Sequence, residues 1–194
     1  FLPEVIVPQV ENLCQELPDV FFRLSISVDD IGKEHNKIRR FKDGYETLLK
    51  TAYDLHSLKE KYKNFDLRAV SVFTQKNQDH FEDLLNELEN LEIFDAFIVN
   101  LIRGNPKDPE LKKTDIQKFA NIQKRLNKGL SRSWRHPSSK LLSQIQAQTS
   151  EGVIDSFINP GIRQFKCYQG QKSLVINVIG DVFACEILDD KPLG

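Results

Sequence analysis

The sequence predicts an α/β fold built from parallel βα units, and three observations carry that expectation. The β-favouring runs VFFRLSISV (20–28), LRAVSVFT (67–74) and FDAFIVNLI (94–102) alternate with segments of helical periodicity. Each intervening stretch is long enough for a helical crossover, which parallel pairing requires. The chain has 194 residues, 40% hydrophobic and 28% charged, the composition of a globular protein able to bury a core. From these residues a doubly wound sheet and a (βα) barrel both stay open, although three strands cannot close a barrel.

The elements follow in order. From Pro3 to Leu17, apolar residues at Val5, Val10, Leu13, Cys14 and Leu17 recur at helical spacing, with Pro3 and Pro8 early. The first strand run (20–28) is almost uninterruptedly apolar, as expected for a strand covered on both faces. A helix is predicted over Gly44–Lys63, with a stripe through Tyr45, Leu48, Leu49, Ala52, Leu55 and Leu58. Strand 67–74, helix 79–91 and strand 94–102 come next. After the loop RGNPKDP, Asp115 is placed to cap a helix running to about Leu130. Residues 131–160 read as a polar, partly helical bridge. The runs SLVINV and DVFAC then predict a β-hairpin turning at Ile179-Gly180-Asp181, where glycine tolerates positive φ.

That hairpin lies within a Cys-x12-Gly-x4-Cys pattern, Cys167, Gly180 and Cys185. Two thiolates brought together on a rigid turn suit zinc or an iron–sulfur cluster, and either centre wants further ligands. Cys14 falls on the apolar stripe of the first helix and reads as core. A net charge of -1 gives no global attraction to nucleic acid or an anionic membrane. No stretch has the length of a membrane span or the pattern of a signal peptide. The odd count of three cysteines fits a reducing, cytoplasmic setting. The abrupt FLPEVIVPQ opening and DDKPLG ending suggest a piece of a longer protein. No Ser-His-Asp set, P-loop or dinucleotide fingerprint is present.

The segment LSISVDDIGKEHNKIRRFKDGYETLLKTAYDL resembles the fourth strand and following helix of radical S-adenosylmethionine enzymes. Its matching positions are Ser27, Asp29, His35, Asn36, Ile38, Arg39, Gly44, Tyr45 and Glu46, with Asp30 and Asn36 departing from the family's usual glycine and aspartate. RAVSVFTQKNQDHFEDLLNEL resembles the next strand and helix through Asn77 and Asp79. Cys167, Gly180, Cys185 and the closing Pro192-Leu193-Gly194 are similar to the opening of a SPASM or twitch extension, which binds auxiliary iron–sulfur clusters.

The resemblance implies the later part of a partial (βα)6 TIM-like barrel over 1–130, a helical bridge over 131–162 and the start of a small SPASM/twitch β-hairpin domain over 163–194. It implies an enzyme that makes a 5′-deoxyadenosyl radical to modify a peptide or small-metabolite substrate. A 4Fe-4S cluster and S-adenosyl-L-methionine would be its cofactors and a reducing electron donor its partner, with neither nucleic acid nor membrane involved. Cys167 and Cys185 would be metal ligands. Ser27 and Arg39 would contact the cofactor, Arg39 by pairing with its methionyl carboxylate, with Asp29 beside them in the cofactor-binding set. Asn100 and Arg103 join that set by placement, since they follow the third strand at the same predicted barrel edge, within reach of cofactor or substrate. The hallmark Cys-x3-Cys-x2-Cys occurs nowhere in the chain, which alone would therefore be inactive.

Plainer readings stand beside these. Asp29 and Asp30 suit the cap of a turn, Arg39 a solvated charge, and Gly-Asn-Pro after Arg103 a turn. His35 reads as a capping or packing residue. The phenylalanines belong to apolar strands and not to a base-stacking surface. The rival from another class is a non-catalytic α/β binding module whose two cysteines hold zinc or nothing.

Overall fold

The computed structural model describes residues 2–129 and, towards the carboxyl end, 168, 170–172, 174–177, 179–185 and 192–193. The chain divides into two compact units, Phe1–Ala147 and Gln148–Gly194. The expected bridge over 131–162 lies outside the described residues.

The first unit is mixed α/β. Its elements are α1 (Pro3–Glu16), β1 (Phe22–Ser27), α2 (Gly32–Arg39), α3 (Gly44–Leu58), β2 (Phe65–Phe73), α4 (Phe81–Asn90), β3 (Ala96–Leu101), a 3-10 turn (Pro109–Lys112) and α5 (Ile116–Gly129). The strands form a parallel sheet in the order β1-β2-β3, so each connection steps to the next position in the same direction. Ser27 pairs with Val70, Val70 with Ile98, and Val72 with Asn100.

Period-two burial along β2 shows which face carries the core. Phe65, Leu67, Ala69, Ser71 and Phe73 are buried, whereas on the other face Asp66, Val70 and Val72 are half-buried and only Arg68, paired with Asp66, is buried. Phe73 packs its ring against Phe81 of α4 at 5.2 Å and Phe119 of α5 at 5.6 Å. Leu84, Leu85 and Leu88 of α4 and Leu48, Ala52 and Leu55 of α3 complete this core, each at most 2% exposed. Asp115 caps α5 as expected, its Oδ1 accepting from the backbone N–H groups of Gln117 and Lys118 at 2.8 and 3.1 Å.

The sequence reading missed α2. GKEHNKIR has one buried side chain, His35, and no apolar stripe for periodicity to detect. The helix stops at Arg40, which takes the left-handed conformation at φ 53°. Asn36 then reaches from α2 to α3, its Oδ1 accepting from Tyr45 N–H at 2.7 Å, and serves as the cap that Asp43 does not supply. α3 ends at Leu58, short of the expected Lys63, and its chain turns at once into the approach to β2. Among the described residues no helix is long and apolar enough to cross a membrane.

In the second unit, β4 (Val175–Ile176) and β5 (Val182–Phe183) pair antiparallel, as the hairpin reading expects. Gly180 takes φ 95°, the conformation a glycine was wanted for. Asn177 closes the turn, its Oδ1 accepting from the N–H groups of Ile179 and Asp181 at 3.0 and 2.9 Å.

Candidate functional site at the carboxyl edge of the sheet

In a parallel sheet the loops leaving the strands gather at the carboxyl edge, and here that edge concentrates buried polar groups. Beyond Ser27 the chain keeps its register for one residue, Val28 N–H donating to Val70 O at 2.9 Å, and then delivers Asp29 and Asp30. Both are buried, at 6% and 3% exposure. Buried carboxylates survive only when paired or hydrogen-bonded.

Asp29 is bonded on every side. Its N–H donates to His35 Nδ1 at 3.2 Å, its Oδ1 accepts from Val72 N–H at 3.1 Å, and its carbonyl accepts from Asn77 Nδ2 at 2.8 Å. Its Oδ2 meets Arg39 Nη2 at 2.7 Å. Because its carboxylate is held by Val72 and Arg39, Asp29 acts as a strut that aims Arg39. The Arg39 side chain is 41% exposed, and its guanidinium carries donors beyond the one that meets Asp29.

His35 and Asn77 sustain the strut. Accepting at Nδ1 places the His35 proton on Nε2, and burial is the main force holding its pKa below the ordinary value, opposed by the nearby Asp29 charge. The ring lies 5.8 Å from that of Tyr45. Asn77 is 1% exposed; its Oδ1 accepts from Thr74 N–H and Oγ1, and its Nδ2 donates to Asp29 O and Val72 O. The resemblance marked Asn77, but its role of locking the end of β2 to the end of β1 has no signal in sequence, since those partners lie 48 and 5 residues away.

Asp30 faces another way. Its Oδ1 accepts from Ile31 N–H at 2.8 Å and lies 3.2 Å from His80 Nδ1. Burial pushes its carboxyl pKa up, only partly offset by the Ile31 N–H and His80.

Of the other anticipated binding residues, Ser27 is half-buried and Asn100 exposed. The cross-strand rows Ser27-Val70-Ile98 and Val72-Asn100 put them on one face, the one opposite Phe73. Arg103 is exposed in the loop after β3, beside Gly104 at φ 71°. Asp29 and Arg39 are therefore brought into contact, Ser27 and Asn100 share a face, and Arg103 sits on a neighbouring loop.

Cys185 follows β5 and is half-buried; Cys167 lies outside the described residues. The described chain just after Cys167 turns back, Gln171 and Lys172 N–H donating to Tyr168 O, and brings Gly170 against Ala184. A Cβ added at Gly170 would lie 3.0 Å from that of Ala184, so this approach needs glycine. Among the described residues, no three His, Cys, Asp or Glu side chains gather as a metal site. A separate cleft of about 580 Å³ opens at the amino edge, lined by Cys14, Phe21, Lys61, Tyr62 and Asn64 among others. The chain matches no family model, no curated protein and no solved structure.

Proposed function

We propose that this chain is part of a radical S-adenosylmethionine iron–sulfur oxidoreductase that modifies a peptide or small metabolite, contributing later βα units of a partial (βα)6 barrel and the start of an auxiliary-cluster domain. The observation that carries the reading is Arg39 held by buried Asp29 at the carboxyl edge, next in the chain's fold to the end of β1 and Ser27. A fixed, half-exposed guanidinium fits a carboxylate such as the methionyl group of S-adenosylmethionine, and Ser27 and Asn100 offer further polar groups on that side. The sequential parallel order β1-β2-β3 is compatible with successive βα units of a barrel, and equally with one half of a doubly wound sheet.

In this reading the bound cofactor, with a reduced cluster, supplies the radical chemistry. Cysteines 14, 167 and 185 do not form the three-cysteine ligand set for that cluster, which another part of the protein would hold. This chain's own contribution is to bind and orient S-adenosylmethionine. Cys167 and Cys185 would ligate the auxiliary centre, a role supported by the approach of Gly170 to Ala184, which joins the chain beside one cysteine to the chain beside the other. A reducing electron donor and a cytoplasmic setting go with it. The second reading is a non-catalytic binding module whose two cysteines, Cys167 and Cys185, hold zinc or nothing.

The test is iron and acid-labile sulfide content of the anaerobically prepared full-length protein, compared with Cys167→Ala and Cys185→Ala. More than one cluster per chain, with part of the iron lost in each variant, supports the enzyme. Iron-free protein, or zinc alone, installs the binding module instead.

A further inference from the structure

His80 is the other half-exposed base at the carboxyl edge, and the anion-binding reading does not use it. It precedes α4 and is fixed from both directions: its N–H donates to Asn77 O at 3.3 Å, and its carbonyl accepts from Asp83 N–H at 3.1 Å and Leu84 N–H at 3.2 Å. Its Nδ1 lies 3.2 Å from Asp30 Oδ1, where the carboxylate side chain is 4% exposed and the imidazole 41%. Among the described residues Nε2 makes no hydrogen bond. The neighbouring charges are Glu34 on α2, which acts on Asp30, and Asp79, which is neutralised by Lys118 of α5 at 2.6 Å.

A buried carboxylate behind an imidazole fixes its tautomer: Nδ1 keeps the proton and Nε2 presents a lone pair outward. A solvated histidine needs no such partner, and a packing histidine would not leave its second nitrogen at the surface. We propose that His80 is a proton acceptor for a substrate bound at the carboxyl edge, with Asp30 as its positioning residue. Nε2 takes the proton from an acidic O–H, N–H or activated C–H, the substrate atom keeps the bonding electron pair, and the imidazolium passes the proton to water. The imidazolium is stabilised by the Asp30 carboxylate while it exists. This inference is independent of the identity of the cofactor.

The test uses the full chain labelled with 15N, with His80→Gln to assign the imidazole resonances. At about pH 9, where histidine is ordinarily neutral, His80 should show a protonated Nδ1 and a bare Nε2. The preference should be roughly ten-fold, the equilibrium weight of one charge-assisted hydrogen bond, and should fall towards parity in Asp30→Ala and part of the way in Asp30→Asn. Diethyl pyrocarbonate should acylate His80 at Nε2. A protonated Nε2 in the unmodified chain, an unchanged tautomer ratio in whichever Asp30 variant folds, or a His80 that resists acylation would overturn the proposal.

Discussion

Both edges of the parallel sheet bury ionised groups, yet they pair them differently. At the amino edge, Lys59 meets Asp95 at 2.5 Å with side chains 5% and 13% exposed, and Lys59 also donates to Ile93 O at 3.2 Å. Asp95 Oδ2 accepts from Leu67 N–H at 2.8 Å. Lys59 is buried and Asp95 largely so, and the pair's hydrogen bonds join the starts of β2 and β3. At the carboxyl edge, the acids are buried and the bases are not: Asp29 and Asp30 are 8% and 4% exposed at the side chain, Arg39 and His80 both 41%. A closed pair holds strands together, whereas a buried acid behind an open base aims a functional group at solvent. In the proposed reading that difference makes the carboxyl edge the ligand-binding end.

The largest effect should come from opening the closed pair. Lys59→Ala removes a buried cation from a largely buried carboxylate and should lower unfolding free energy by about 3 kcal/mol, measured by urea denaturation. The corresponding change at the open edge, Arg39→Ala, should cost less, about 1–2 kcal/mol, because water can take the place of a side chain that is 41% exposed and Asp29 Oδ1 keeps its bond from Val72 N–H. Equal losses would erase the distinction.

Proton linkage separates the two carboxyl-edge histidines' surroundings next. Burial depresses the pKa of His35, so the unfolded chain takes up a proton before the native protein does. Its contribution to stability is present above the unfolded value of about 6.5 and is lost as pH falls from there through the lowered native value. Asp30 has the opposite sign: its raised pKa means stability is lost as pH rises from about 4 through the native value. Asp30→Asn should abolish that decline, so the stability difference between variant and parent should grow as pH rises through this window. A pH-independent difference would contradict the burial argument.

The smallest effect concerns Tyr45, whose buried hydroxyl has no hydrogen-bond partner among the described residues and whose pKa is pushed up to about 12, chiefly by burial. Tyr45→Phe should be neutral or stabilising by up to about 1 kcal/mol, read as an unchanged or raised Tm. A clear loss of stability would mean the hydroxyl belongs to the network around His35.

Apolar pattern made much of this legible. β1, β2 and β3, the stripes of α3 and α4 and the Gly180 turn follow from periodicity and glycine chemistry, which are local. The polar architecture of the edge is not local. α2 carries no stripe, Asn36 caps a helix it does not belong to, and Asn77 and His80 find their partners across strands. Asp29 and Arg39 were singled out, but that one exists to hold the other required coordinates. His80 carried no signal in sequence beyond standing one residue before an amphipathic helix, a place where a histidine is ordinary.

The central claim is that the open bases of the carboxyl edge bind ligand. Its most direct test is titration of the full-length, anaerobically prepared protein with S-adenosylmethionine by calorimetry, comparing the parent with Arg39→Ala. One carboxylate–guanidinium pair predicts affinity weaker by roughly ten-fold or more in Arg39→Ala. Unchanged affinity in a folded Arg39→Ala protein, or no binding by the parent, would contradict it.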